Sequence, residues 1–258
     1  MKTMNLLTLT VVTGCLLTVT ARAGIVGSPH DFHGRAWASA GNNPSDPATV
    51  CMVCHTPHHA DHNAGPLWGH DTIGTGGWQM YANNVSPGAN IKYSPAAYPL
   101  GASLACLSCH DGSIAINAYG SPTAANRSSY EFVTNGAAIS ENNKDLTHSH
   151  PISFNYDSIV GTGKGKDQWL YVSSSPVLTP DANSPQFTPG NDMSIKGFLL
   201  NSQGNLECNS CHDVHNQEGS AYEAVLPGGG GGRNPNLVKI NGTQAGVGSL
   251  LCRSCHNK

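Results

Sequence analysis

Charge is what this chain has least of. Lys, Arg, Asp and Glu together make up 11% of its 258 residues, well under the roughly 25% of an ordinary soluble domain. The balance is faintly acidic, with 13 basic against 16 acidic side chains, and no basic cluster marks a nucleic-acid surface. Long apolar runs are missing beyond residue 23, so no later segment has the length of a bilayer span. A sustained 3.6-residue apolar period is missing too, which argues against a core made only of amphipathic helices. Methionine is scarce, at 5 residues. These absences describe a chain poorly equipped to build a large side-chain core. Its 30 glycines and 16 prolines point the same way, toward turns and loops.

Into this background fall four copies of Cys-x-x-Cys-His: Cys51–Cys54–His55, Cys106–Cys109–His110, Cys208–Cys211–His212 and Cys252–Cys255–His256. On a helical turn, residues at i, i+3 and i+4 share one face. Two thiols so placed reach the two vinyl groups of one porphyrin, and the histidine that follows lies beneath the iron as proximal ligand. A Cys/His zinc site or a thioredoxin-like pair also uses closely spaced cysteines. Neither needs a histidine directly after every second cysteine. The motifs therefore predict four covalently attached haem c groups, with His55, His110, His212 and His256 as iron ligands.

The first 23 residues read as a secretory signal. Lys2 supplies the positive start, Leu6 to Val19 is largely apolar, and Ala21-Arg22-Ala23 forms a cleavage site. Cleavage before Gly24 removes Cys15, the odd member of 9 cysteines, and leaves none for a disulfide. A competing reading makes Val12-Thr13-Gly14-Cys15 a lipidation site, which the following Leu16-Leu17 disfavours. Loss of Lys2 and Arg22 lowers the basic count from 13 to 11 against 16 acidic side chains, a formal charge of −5. The expected product is exported, periplasmic or extracellular, with no stable membrane insertion and no nucleic-acid partner.

Residues 24–258 read as one tetrahaem cytochrome c domain. The expected fold is a multihaem cytochrome c, mostly coil, with short helices only at the attachment motifs and a core built around four covalently bound haems. The motifs form two pairs, one spanning Cys51 to His110 and the other Cys208 to His256. Between them lies a polar stretch rich in turn formers, including Gly161 to Gly165 and Thr179 to Pro185. Five glycines, Gly228 to Gly232, read as a surface loop between the third and fourth motifs. A compact chain of this size has a radius of gyration of about 17–18 Å, which forces four porphyrins close together. Without haem the chain is expected to be largely unfolded.

Each iron has a second axial position, open to histidine, methionine, water or nothing. After cleavage only Met52, Met80 and Met193 remain, and Met52 lies inside the first motif. Histidine is abundant, with 13 in the chain, so two-histidine ligation is easily satisfied. His58 and His215 each follow a motif histidine by three residues. A side chain that close cannot reach round to the far face of the same haem, so either one, as a ligand, serves a different haem. His150 precedes Pro151, which fixes an extended backbone there. His30 falls in the N-terminal region. His33, His59, His62 and His148 read as solvated or hydrogen-bonding residues, and His70 is undecided between ligand and structural residue.

Further segments accompany the motifs: Gly27-Ser28-Pro29-His30-Asp31-Phe32, Cys54-His55-Thr56-Pro57-His58, Pro66-Leu67-Trp68 and Cys106-Leu107-Ser108-Cys109-His110-Asp111-Gly112. To these add His150-Pro151-Ile152-Ser153-Phe154, Cys211-His212-Asp213-Val214-His215-Asn216 and the closing Cys255-His256-Asn257-Lys258. Taken together they resemble the tetrahaem c-type cytochromes of the OmcE type, which assemble into extracellular filaments in metal-reducing bacteria. The resemblance covers nearly all of residues 24–258. It implies low-spin haems each held by two histidines, a continuous haem stack, a mostly coil fold and a distal histidine supplied by the next subunit. Carried onto this chain it implies His30, His58, His150 and His215 as distal ligands, with His58 the one that crosses. The extra histidines at His59, His62 and His148 leave the register near the first motif and near His150 open.

The expected function is electron transfer outside the cytoplasm, not catalysis. Expected partners are redox proteins or extracellular acceptors, and further copies of the chain in a homopolymer. The alternatives are a soluble periplasmic shuttle and a multihaem oxidoreductase with one open haem site. The surplus of histidine disfavours the second.

Overall fold

The computed structural model describes residues 25, 28–32, 35, 48–65, 67–72, 76–81, 95–119, 130–134, 137–140, 144–163, 166–178, 192–215, 238–240, 243–244 and 248–257. The predicted signal with Cys15, His33 and the run from Gly228 to Gly232 lie outside these residues.

Regular structure is short throughout. In chain order come α1 (Ala48–Met52), α2 (Gly101–His110), β1 (Phe154–Asn155), a 3-10 turn (Tyr156–Ser158), a π-helical turn (Ile195–Leu199), β2 (Asn205–Leu206), α3 (Cys208–Cys211), β3 (Thr243–Gln244), β4 (Gly248–Ser249) and α4 (Leu250–Cys255). Among the described residues, each attachment motif lies on or directly after one of these α-helices. The two further helical turns lie between the motif pairs, so helix is not confined to the motifs.

The longest helix, α2, has local reasons to form. Its sequence, Gly-Ala-Ser-Leu-Ala-Cys-Leu-Ser-Cys-His, is rich in Ala and Leu, strong helix formers. Leu100 precedes it with an extended backbone and accepts the Ser103 amide at 2.9 Å. The Asp111 amide returns to the Leu107 carbonyl at 3.1 Å, and Gly112 follows at φ +76°. That left-handed glycine stops the helix just past His110.

β1 and β2 pair antiparallel, with Phe154 opposite Leu206 and Asn155 opposite Asn205. Phe154 and Leu206 are both buried and enter the larger apolar cluster with Tyr156, Ile159, Leu170, Val177, Ile195, Leu199, Leu200, Ile240 and Leu250. Each fully buried large side chain there contributes about 1.5–3 kcal/mol relative to exposure. A second cluster holds Trp78, Met80, Leu107 and Leu146, and partly buried Ile152 packs against both.

Most of the larger cluster comes from the stretch between the motif pairs, which the sequence reads as polar and turn-rich. The apolar residues there fall singly or in short runs, such as Trp169 to Val172 and Phe198 to Leu200, broken by Gly, Ser and Pro and without a sustained two- or 3.6-residue period. Tertiary backbone bonds gather them instead. The Asp167 amide donates to the Ile159 carbonyl at 2.6 Å, Val177 to Met193 at 2.9 Å and Ile195 to Ser175 at 2.8 Å. The chain thus has more side-chain core than its composition suggests. The phenol of Tyr156 is placed in it by a 2.8 Å bond to the Tyr171 carbonyl.

Candidate functional site

Three motifs share one local geometry. The amides of His55, His212 and His256 donate to the carbonyls of Cys51, Cys208 and Cys252 at 2.8, 3.0 and 2.9 Å. This bond closes one helical turn, so the first cysteine and the histidine fall on one face. In the second motif Cys106, Cys109 and His110 all belong to α2.

Beyond the turn, each motif histidine is pinned to a distant segment. His55 forms an antiparallel bridge with Trp68, His212 with Val238 and His256 with Leu170. His110 is held differently. Its carbonyl accepts the Ile139 amide at 2.7 Å, and its Nδ1 lies 2.7 Å from the Ala137 carbonyl. A nitrogen facing a carbonyl must carry the proton, so Nε2 keeps its lone pair. Metal-bound histidines are commonly oriented by this kind of bond. His150 has the same arrangement, with Nδ1 2.9 Å from the Pro151 carbonyl.

Among the described residues, histidine rings meet in three pairs. His30 and His110 have ring centroids 5.8 Å apart, His55 and His215 6.1 Å, and His150 and His256 6.4 Å. Two imidazoles on opposite sides of one iron, with Fe–N bonds of about 2 Å, put their centroids about 6 Å apart. The centroid spacings at the first, second and fourth motifs match that separation. His215 lies against His55 of the first motif, and His30 comes from far upstream of α2. Burial, with His110 and His212 adding to it, pushes His30 down to about 4. His55 is lowered by burial and then by His215. Both are then neutral at neutral pH, the form that binds metal.

The other histidines sit elsewhere. His58, His59 and His62 are exposed on the loop after the first motif, and His148 is exposed near His150. His70 is buried, with its ring 6.0 Å from Trp68 and 6.1 Å from Tyr119.

The eight motif cysteines form no disulfide with one another, and their side chains link the motifs in order. Cys54 lies within electrostatic reach of Cys106 and Cys109, Cys106 and Cys208 share a hydrogen bond, and Cys211 senses Cys252 and Cys255. Burial pushes Cys54, Cys211 and Cys255 up to about 11 and Cys109 up to about 12. Cys208 goes down, through its bond with Cys106.

One functional neighbourhood escapes sequence reasoning. Glu207, directly before the third motif, is buried, and its Oε2 accepts Ser103 Oγ at 2.5 Å and Ser153 Oγ at 2.8 Å. Its Oε1 has no hydrogen-bond partner among the described residues. Ser153, at φ +58°, also accepts the Leu100 amide through Oγ at 3.0 Å. This cluster joins the entry to α2 with the entry to α3, and nothing in the spacing of Ser103, Ser153 and Glu207 announces it. Burial raises the Glu207 carboxyl, and the two serine bonds offset only part of that. A raised carboxyl binds its proton more tightly folded than unfolded. Its contribution is present below the unfolded value of 4.5 and is lost as pH rises through the folded one. Glu207→Gln is therefore expected to flatten the fall in melting temperature above pH 4.5, measured calorimetrically on haem-loaded protein. An unchanged slope would mean that Glu207 carries no such load.

Comparison with known proteins assigns no relative: no protein-family model matches the chain, and no curated protein matches it.

Proposed function

We propose that this chain is an exported electron-transfer protein that holds four haem c groups, each between two histidines, and polymerises into an extracellular conductive filament. The observation that carries the reading is the set of three histidine ring pairs at 5.8, 6.1 and 6.4 Å. Each unites a motif histidine with a distal candidate from another segment. Bound haem supplies the electron-carrying centre.

The chain's own residues have distinct tasks in this reading. The eight motif cysteines tether, and His55, His110, His212 and His256 supply the proximal nitrogens. His30, His150 and His215 supply distal ones within the chain. The Ala137 and Pro151 carbonyls fix which nitrogen of His110 and His150 carries the proton. Two-histidine ligation sets potentials lower than histidine–methionine ligation and leaves no open coordination position for a substrate, which favours a carrier over an enzyme. His58 is the fourth distal candidate. Its exposure, together with the resemblance to filament formers, supports assigning it to a haem of the adjacent copy.

The test is made on exported protein. Mass spectrometry is expected to give a chain beginning at Gly24 plus four haems, the assembled protein a wholly low-spin spectrum, and electron microscopy regular fibres. Monodisperse monomer at high concentration would favour the soluble shuttle. Carbon monoxide binding by the reduced, assembled protein would favour the oxidoreductase, and a diacylated Cys15 would replace export by anchoring.

A further inference from the structure

The loop after the first motif presents three exposed histidines within five residues, His58, His59 and His62, and their backbone settings differ. Two backbone bonds clip this loop. The Thr56 amide donates to the Leu67 carbonyl at 2.8 Å and the Asp61 amide to the Trp68 carbonyl at 2.9 Å. Pro57, His58, His59 and Ala60 form the apex between the clips. His59 adopts φ +61°, the left-handed conformation that a turn requires and that glycine accepts more readily. Thr56 Oγ1 bonds the His58 carbonyl at 2.7 Å, which fixes the backbone from which His58 projects.

One side chain ties the apex to the rest of the molecule. The Asp61 carboxylate accepts the Asn63 amide and side-chain nitrogen through Oδ1, at 2.8 and 2.9 Å. Through Oδ2 it accepts the Thr72 amide and hydroxyl, at 2.9 and 2.5 Å. A group accepting four hydrogen bonds from two segments fixes the height and angle of the apex. Charge-assisted bonds of this kind are about twice as strong as neutral ones. The opposite strap is also close: Gly69 donates to the Cys54 carbonyl at 2.8 Å, and a Cβ added to Gly69 would lie 3.3 Å from that oxygen.

We propose that Asp61 is the positioning residue of an intermolecular haem ligand: it holds the apex so that His58 projects to the iron of an adjacent copy, while His59 serves only the turn. This rests on the reading of the chain as a polymer-forming haem carrier. A ligand that must enter another molecule loses less freedom on binding when its loop is already fixed. His62 lies beyond the second clip and takes no part.

Four variants of the haem-loaded, exported protein test this. Asp61→Ala is expected to raise the concentration needed for assembly at least tenfold. About one haem in four should turn high-spin; added imidazole should restore the low-spin spectrum without restoring assembly. Thr72→Val, which removes one of the four bonds, should shift assembly in the same direction but less. His59→Gly should assemble as wild type with unchanged spectra. His58→Ala should lose both assembly and the fourth low-spin signal. If Asp61→Ala and Thr72→Val assemble normally while His58→Ala does not, the positioning role is wrong and the filament reading stands. If His59→Gly fails and His58→Ala assembles, the ligand is His59. If His58→Ala and His59→Gly both assemble with wholly low-spin spectra, the intermolecular ligand itself is wrong.

Discussion

A chain with serine at both Cys106 and Cys109 is expected to be almost absent from the exported fraction, more than tenfold below wild type on an immunoblot of equal cell mass. The second motif occupies the node of the structure. Its helix, α2, buries Ser103, Leu104, Ala105, Leu107 and Ser108. Ser103 bonds both Glu207 and the Cys208 amide, at 2.5 and 2.9 Å, and Ser108 accepts the Trp68 indole at 3.0 Å. Cys106 and Cys208 touch. In the proposed reading, untethering a haem here removes an apolar group beside elements that depend on one another for burial. Net stabilities of only about 5–15 kcal/mol do not survive such a loss when cofactor binding contributes a comparable amount. The matched change Cys51→Ser with Cys54→Ser is expected to cost less, because Cys51 is exposed and α1 is only 5 residues long. Equal accumulation of the two double variants would remove the second motif from this central role.

His150→Ala has the largest expected spectroscopic effect. The His150 ring lies 6.4 Å from His256, and its Nδ1 bond to the Pro151 carbonyl leaves the Nε2 lone pair free, in the proposed reading for iron. Alanine removes that nitrogen without touching the apolar clusters, since His150 is exposed. The reduced variant is expected to bind carbon monoxide at one haem in four, with a high-spin ferric signal of the same share and near-normal export. His150→Met should instead keep that haem low-spin and raise its potential by on the order of a tenth of a volt, within the roughly 0.8 V that axial ligands span. Spectroelectrochemistry separates one shifted haem from three unshifted ones. If His150→Ala stays wholly low-spin and binds no carbon monoxide, the pairing of His150 with His256 is wrong.

The four turns at the motifs are legible because their spacing is local. A Cys-x-x-Cys-His run needs one helical turn, and the bonds from His55, His212 and His256 close it. The closeness of His215 to His212, three residues apart, is equally local. That His215 meets His55, across more than 150 residues of sequence, is not written in any spacing. The same holds for His30 beside His110. The larger apolar cluster was hidden for a related reason: Tyr156, Ile159, Leu170 and Ile195 come together through turns and single bridges, which leave no periodic trace. Glu207 and its serines were invisible because each looks like an ordinary surface residue until α2 and α3 meet.

The bridges from His55 to Trp68, His212 to Val238 and His256 to Leu170 also impose an order in time. A motif turn is local and closes early, whereas a bridge between remote segments must first meet the entropy of closing its loop. A thiol can be joined to a cofactor only while the chain around it remains accessible. In the proposed haem-carrying reading, attachment belongs to the interval after the turns have formed and before the bridges have closed. The partner of His256 lies at Leu170, far back along the chain, so that bridge spans the longest loop of the three. In that reading the last motif to emerge during synthesis has the longest closure ahead of it, which gives its haem loading the widest interval of the three.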